Sequence, residues 1–122
     1  MILVAGPYRS GTNDDPVLMQ RNLQAMEAVA LPLYRAGHLP VIGEWVALPL
    51  LAAAGAKHIG DEHWQEILYP VAARLLAKCD AVLRIPGASK GADNDVRLAQ
   101  EQGLPVYYRM EDVPGCTWDT RR

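Results

Sequence analysis

"DAVLRIPGASKGADNDVRLAQEQGLPVYYR", residues 80–109, decides the fold. An apolar run opens it and stops at Pro86-Gly87, as a buried strand does before a loop. "ASKGADNDVRLAQEQG" then reads as a Gly-containing loop feeding a short helix that Gly103 closes, and "LPVYYR" as another strand. Two strands joined by one helix within thirty residues form a parallel unit, because parallel neighbours need a crossover of about a dozen residues or more.

The same grammar extends toward the amino end. "MILVAGPYRSG", residues 1–11, opens on a short apolar strand, Ile2 to Ala5, cut off by Gly6-Pro7 ahead of a polar stretch rich in turn residues. Asp15-Pro16 predicts a helix start, with Met19, Leu23, Met26, Ala30 and Leu33 at helical spacing up to Gly37. Pro32 predicts a kink or an early end in that helix. "LPVIG", residues 39–43, is a strand. "EWVALPLLAAAGA", residues 44–56, reads as an apolar helical or irregular segment broken by Pro49. "DEHWQEILYPVAARLLAKC", residues 61–79, carries a stripe of Leu68, Ala72, Leu75, Leu76 and Cys79, with Pro70 kinking it or opening a new helix. The resulting order predicts an α/β domain over residues 1–110, a three-layer arrangement with a parallel sheet of four or five strands and helices on both its faces. Residues 111–122 have no periodicity and predict an irregular, partly disordered tail.

Composition narrows the function. The chain has 122 residues, 50% hydrophobic, and a net charge of −2, enough for one core and no footprint for nucleic acid. The apolar stretches are interrupted well before membrane-spanning length and no signal-peptide pattern opens the chain, so the expectation is a cytoplasmic protein with no membrane partner. Cys79 and Cys116 suggest neither a disulfide framework nor a zinc site, and His38, His58 and His63 lack a close metal-ligand spacing. Walker A, G-x-S-x-G and G-x-G-x-x-G patterns are all missing, which argues against a P-loop NTPase, an α/β-hydrolase and a dinucleotide dehydrogenase. The expectation is therefore no metal and no cofactor.

In a parallel sheet the loops after the first and third strands leave the same edge, so "GPYRSG" and "PGASKGAD" can share a crevice. Gly6 and Gly91 let backbone approach a ligand there. The amides opening the helix after Gly91, with Arg9, Ser10, Ser89 and Lys90, supply donors suited to phosphate. Tyr8 can pack against a sugar or base. Asp93 and Asp95 are read as first-turn carboxylates that the helix dipole keeps ionised. Trp45, Leu48, Leu50 and Leu51 crowd one segment with more apolar surface than a short helix buries, which predicts a homodimer or larger homo-oligomer; Trp45 and Trp64 are read as core or interface aromatics.

"ILVAGPYRSG", Asn22, "AGH", "CDAVLRIPG" and "SKGADNDVRLAQEQGLPV" together resemble the nucleoside 2-deoxyribosyltransferase-like superfamily, over roughly residues 2 to 107. The first loop is most similar to that of the 2'-deoxynucleoside 5'-monophosphate N-glycosidases. The resemblance implies a flavodoxin-like or Rossmann-like sheet, cleavage or transfer at the N-glycosidic bond of a small-molecule nucleoside or nucleotide, oligomers whose neighbouring subunits complete the site, and a phosphate held by Arg9, Ser89 and Gly91. It puts Asp95 where the family has a nucleophilic Glu, one methylene longer. A second family carboxylate falls at Ala72, so Glu44, Glu62 or Glu66 would have to replace it; Asp93, Glu44 or a water held by Tyr8 are the candidates for protonating the base. Two classes of function follow: an N-glycosidase or deoxyribosyltransferase, and a nucleotide-binding or sensor module of the same fold without the chemistry.

Overall fold

The computed structural model describes residues 1–116. Its elements are β1 (Ile2–Ala5), α1 (Pro16–Arg35), β2 (Pro40–Ile42), α2 (Gly43–Ala54), α3 (Glu62–Leu76), β3 (Ala81–Arg84), α4 (Lys90–Glu101) and β4 (Val106–Tyr107), followed by a 3-10 turn at Met110–Asp112. The four strands form one all-parallel sheet in the order β2-β1-β3-β4. This is the flavodoxin-like arrangement, and β1 and β3 are neighbours as expected. The expected strand over 104–109 is shorter, confined to Val106–Tyr107.

Every residue of β1 and β3 is buried, because each strand is covered on both faces and alternation would leave polar groups inside. Ile2, Val4, Ala81 and Leu83 face one way, onto Leu23, Met26 and Leu33 of α1. Leu3, Ala5 and Val82 face the other way, onto Leu76, Ala92 and Ala99 of α3 and α4. Val113 lies within the first cluster with no exposed surface, so the start of the segment expected to be an irregular tail is part of the core. Residues 117–122 of that expected tail lie outside the described residues. A third cluster, Met19, Leu51 and Trp64, joins α1, α2 and α3.

The helix starts follow local chemistry. The carboxylate of Asp15 accepts from the amide of Val17 at 2.9 Å, with Pro16 at the first helical position. Asp61 caps α3 through the amide of His63 at 3.0 Å. Ser89 caps α4 through the amide of Ala92 at 3.1 Å, so the helix opens at Lys90, before Gly91 rather than after it. Gly103, with φ of 76°, turns the chain just past the end of α4.

The prolines do not break their helices. Pro32, Pro49 and Pro70 all lie inside continuous helices. Each lacks the N–H that would pair the carbonyl four residues earlier. Those carbonyls belong to Ala28, Trp45 and Glu66, residues on the exposed sides of their helices, where an unpaired carbonyl costs less than in the core. Of the stripe expected on this segment, Leu76 and Cys79 are buried while Leu68, Ala72 and Leu75 are half-buried, and Trp64 and Val71 join the buried side of α3.

Candidate functional site

The chain reverses its direction of winding between β1 and β3, the position at which open α/β sheets bind ligands beyond the carboxyl ends of their strands. A cleft of about 780 Å³, its open mouth included, lies there. Packing holds its two loops side by side. A Cβ at Gly6 would overlap the side chain of Ile85, and one at Gly87 would come within 2.6 Å of Pro7. Gly6 therefore answers to close contact with the neighbouring loop, besides lining the cleft.

From the first loop, Gly6, Tyr8, Arg9 and Ser10 line the cleft; from the start of α4, Ser89, Gly91 and Asp95 do so; Glu44 enters from the first turn of α2. Asp93 does not. It is exposed, and its carboxylate accepts from Nη2 of Arg84 at 2.9 Å. Lys90 is likewise exposed and outside the cleft. Of the three acidic residues named above as substitutes for the carboxylate that the resemblance expects at Ala72, Glu62 and Glu66 are exposed outside the cleft. Glu44 and Ala72 both line it, and a Cβ on Gly43 would lie 4.0 Å from that of Ala72.

The electrostatics correct the expectation that the helix dipole keeps Asp95 ionised. Asp95 lies in the second turn of α4, beyond the reach of the terminal amides. Burial pushes its carboxyl up to about 7, Glu44 adds to the rise, and Arg84 opposes it. Burial raises Glu44 as well. Tyr8 is raised by burial and then by Glu44, so two carboxyl groups and a phenol occupy one poorly hydrated space.

Arg9 is already engaged. Its Nε and Nη2 donate to the two carboxylate oxygens of Asp14 at 2.6 and 3.1 Å, and its guanidinium lies 5.7 Å from the Trp64 ring centroid. Trp64 stacks on Tyr8 at 6.5 Å with the planes 13° apart. It is therefore a core aromatic, whereas Trp45 is 41% exposed and donates to Glu27 at 2.8 Å. The loop carrying Tyr8 and Arg9 is fixed from within: the Thr12 hydroxyl donates to the Arg9 carbonyl at 2.5 Å, and the Asn22 amide to the Tyr8 carbonyl at 2.8 Å. Ser89 uses its oxygen as an acceptor for the helix cap, and its hydroxyl proton remains available to a ligand.

Sequence reasoning missed Tyr69 and Asn94, which also line the cleft, and the role of Arg84. A single cation inside the apolar run "AVLRI" was the available signal for Arg84, since a buried Arg demands partners. It finds the Ile85 carbonyl at 2.6 Å and Asp93. Among the described residues, no group of three or more His, Cys, Asp or Glu side chains could hold a metal ion, and no helix is long and apolar enough to cross a membrane. Comparison with protein-family models, curated proteins and solved structures found no match to this chain.

Proposed function

We propose that the cleft cleaves or transfers at the N-glycosidic bond of a nucleoside 5'-monophosphate. The observation that carries this reading is the pairing of Asp95 and Glu44 in one cleft, with the Arg9 guanidinium and the start of α4 at its rim. Burial raises both carboxyl groups, Asp95 to about 7 with Glu44 adding to its rise, so near neutral pH Asp95 exchanges between its protonated and ionised forms. One ionised and one protonated carboxyl group is what glycosidic cleavage uses.

Asp95 serves the anomeric carbon in this reading. Its carboxylate bonds to that carbon or stabilises the positive charge as the carbon–nitrogen bond breaks, and the electron pair leaves with the base. Glu44, standing beside Ala72, delivers the proton to the departing base. Water or a second base then attacks that carbon, breaking any bond to Asp95 and returning a proton to Glu44 as it takes the sugar. Arg9 and Ser89, with the α4 amides, hold the phosphate. We include in the proposal a homodimer through the face of α2 that exposes Trp45, Val46 and Leu50, and a cytoplasmic location.

The test is release of free base from ribo- and deoxyribonucleoside monophosphates, followed across pH. The expected rate is bell-shaped: it rises with pH as Asp95 ionises through about 7, and it falls where Glu44, also raised by burial, loses the proton it must deliver. Asp95→Asn and Glu44→Gln should each lower it by roughly 10²- to 10⁴-fold. The missing carboxylate at Ala72 favours a second reading, a nucleotide-binding module, and nucleotide binding without base release at any pH would establish that one instead.

A further inference from the structure

The segment between α2 and α3, residues 55–61, meets the guanidinium of Arg9. A Cβ on Gly60 would lie 2.5 Å from Nη2, 2.8 Å from Nη1 and 2.9 Å from Cζ of that side chain. The guanidinium therefore rests against the bare α-carbon of Gly60. Its neighbour Asp61 holds the segment in shape: one carboxylate oxygen accepts from the amides of Lys57 and His58 at 3.0 and 3.3 Å, while the other caps α3 at His63. Three residues after that cap comes Trp64, whose ring also faces the guanidinium.

Arg9 is thus located from three directions. Asp14 takes the edge formed by Nε and Nη2, Gly60 supplies a contact without a side chain, and Trp64 supplies an aromatic surface. Nη1 makes no hydrogen bond among the described residues. The side chain is 40% exposed and lines the cleft. A guanidinium carries five N–H groups in a planar fork. Using two on Asp14 leaves three, and the fixed plane decides where they point. A freely moving Arg would lose rotamer freedom on meeting an anion; one already held loses less.

We infer that Gly60 and Asp14 are positioning residues that present the unused edge of Arg9 to an anionic oxygen of the ligand, making the α2–α3 segment part of the anion clamp. The inference rests on the proposed phosphate-binding role of Arg9. It adds a requirement for a bare backbone at Gly60, and for a planar fork rather than any cation at residue 9.

Calorimetric titration of the four deoxynucleoside 5'-monophosphates and the corresponding nucleosides tests it. In Gly60→Ala the new methyl group displaces a flexible side-chain end, so monophosphate affinity should fall roughly tenfold, on the scale of one hydrogen bond to a charged group. Nucleoside affinity should stay within about twofold, and the Gly60→Ala effect should vanish in an Arg9→Ala background. Arg9→Lys, which does not depend on the α2–α3 segment tolerating a change, should lose nearly as much monophosphate affinity as Arg9→Ala because an ammonium cannot fork onto Asp14. Arg9→Lys binding as tightly as the native chain overturns the inference, as does a Gly60→Ala loss that is equal for nucleotide and nucleoside or persists without Arg9. If Arg9→Ala itself leaves monophosphate binding unchanged, the phosphate-binding role has failed first; if it weakens binding while Gly60→Ala does not, the positioning role alone has failed.

Discussion

The two passages that leave neighbouring strands β1 and β3 face the same cleft and are built on opposite plans. From Gly6 to Asp14 the chain makes a long polar loop whose charges, Arg9 and Asp14, are 40% and 43% exposed and pair with each other. From Ile85 to Ser89 it makes a short link into α4, and the charge beneath it, Arg84, is 9% exposed. The first plan puts its charges where water screens them, so altering them costs the fold little. The second uses low-dielectric burial to change what its charges do, and that ties the chemistry of Asp95 to the stability of the domain.

Asp95→Asn should sharpen this contrast most. A carboxyl that titrates at about 7 in the fold and near 3.8 when unfolded favours the folded chain while protonated. The native protein should then lose stability as pH rises from about 4 to about 7, by roughly 4 kcal/mol at most, and level off above that. Asp95→Asn removes the dependence, so chemical denaturation at pH 5 and pH 8 should show the variant gaining on the native chain at the higher pH. A constant difference between the two would mean that Asp95 is solvated like an ordinary surface acid.

Next in size is Arg84→Met, which keeps the volume and removes both the Ile85 carbonyl bond and the Asp93 pair. Urea unfolding should show a loss of about 1 to 3 kcal/mol, with Asp93 partly rescued by its own exposure. Because Arg84 opposes the rise at Asp95, the carboxyl resonance of Asp95 should also titrate at higher pH in this variant. The smallest effect belongs to the other passage. Arg9→Ala should move the melting temperature by less than about 3 °C; a larger drop would erase the distinction between the two plans.

The legible part of this molecule was the part set by local chemistry and topology. Apolar runs named the strands, Asp15-Pro16 announced α1, and a parallel sheet obliges the loops of Arg9 and Ser89 to share an edge. What escaped depends on tertiary surroundings. Pro49 and Pro70 look like breaks until the exposure of the freed carbonyls is known. Asp95 looks like a dipole-stabilised anion until the fold buries it and then sets Glu44, some fifty residues away in the chain, beside it. The Arg9–Asp14 pair needs left-handed backbone at Asn13 and Asp14, with φ of 50° and 60°. Asn and Asp tolerate that conformation without announcing it.

Both outer strands of the sheet are short. β4 has two residues, and β2 has three, the first of them Pro40, which has no N–H to offer. A passing extended segment from another chain would find little ladder to join at either described edge, which is how short and proline-bearing edge strands discourage fibrous stacking of an open sheet.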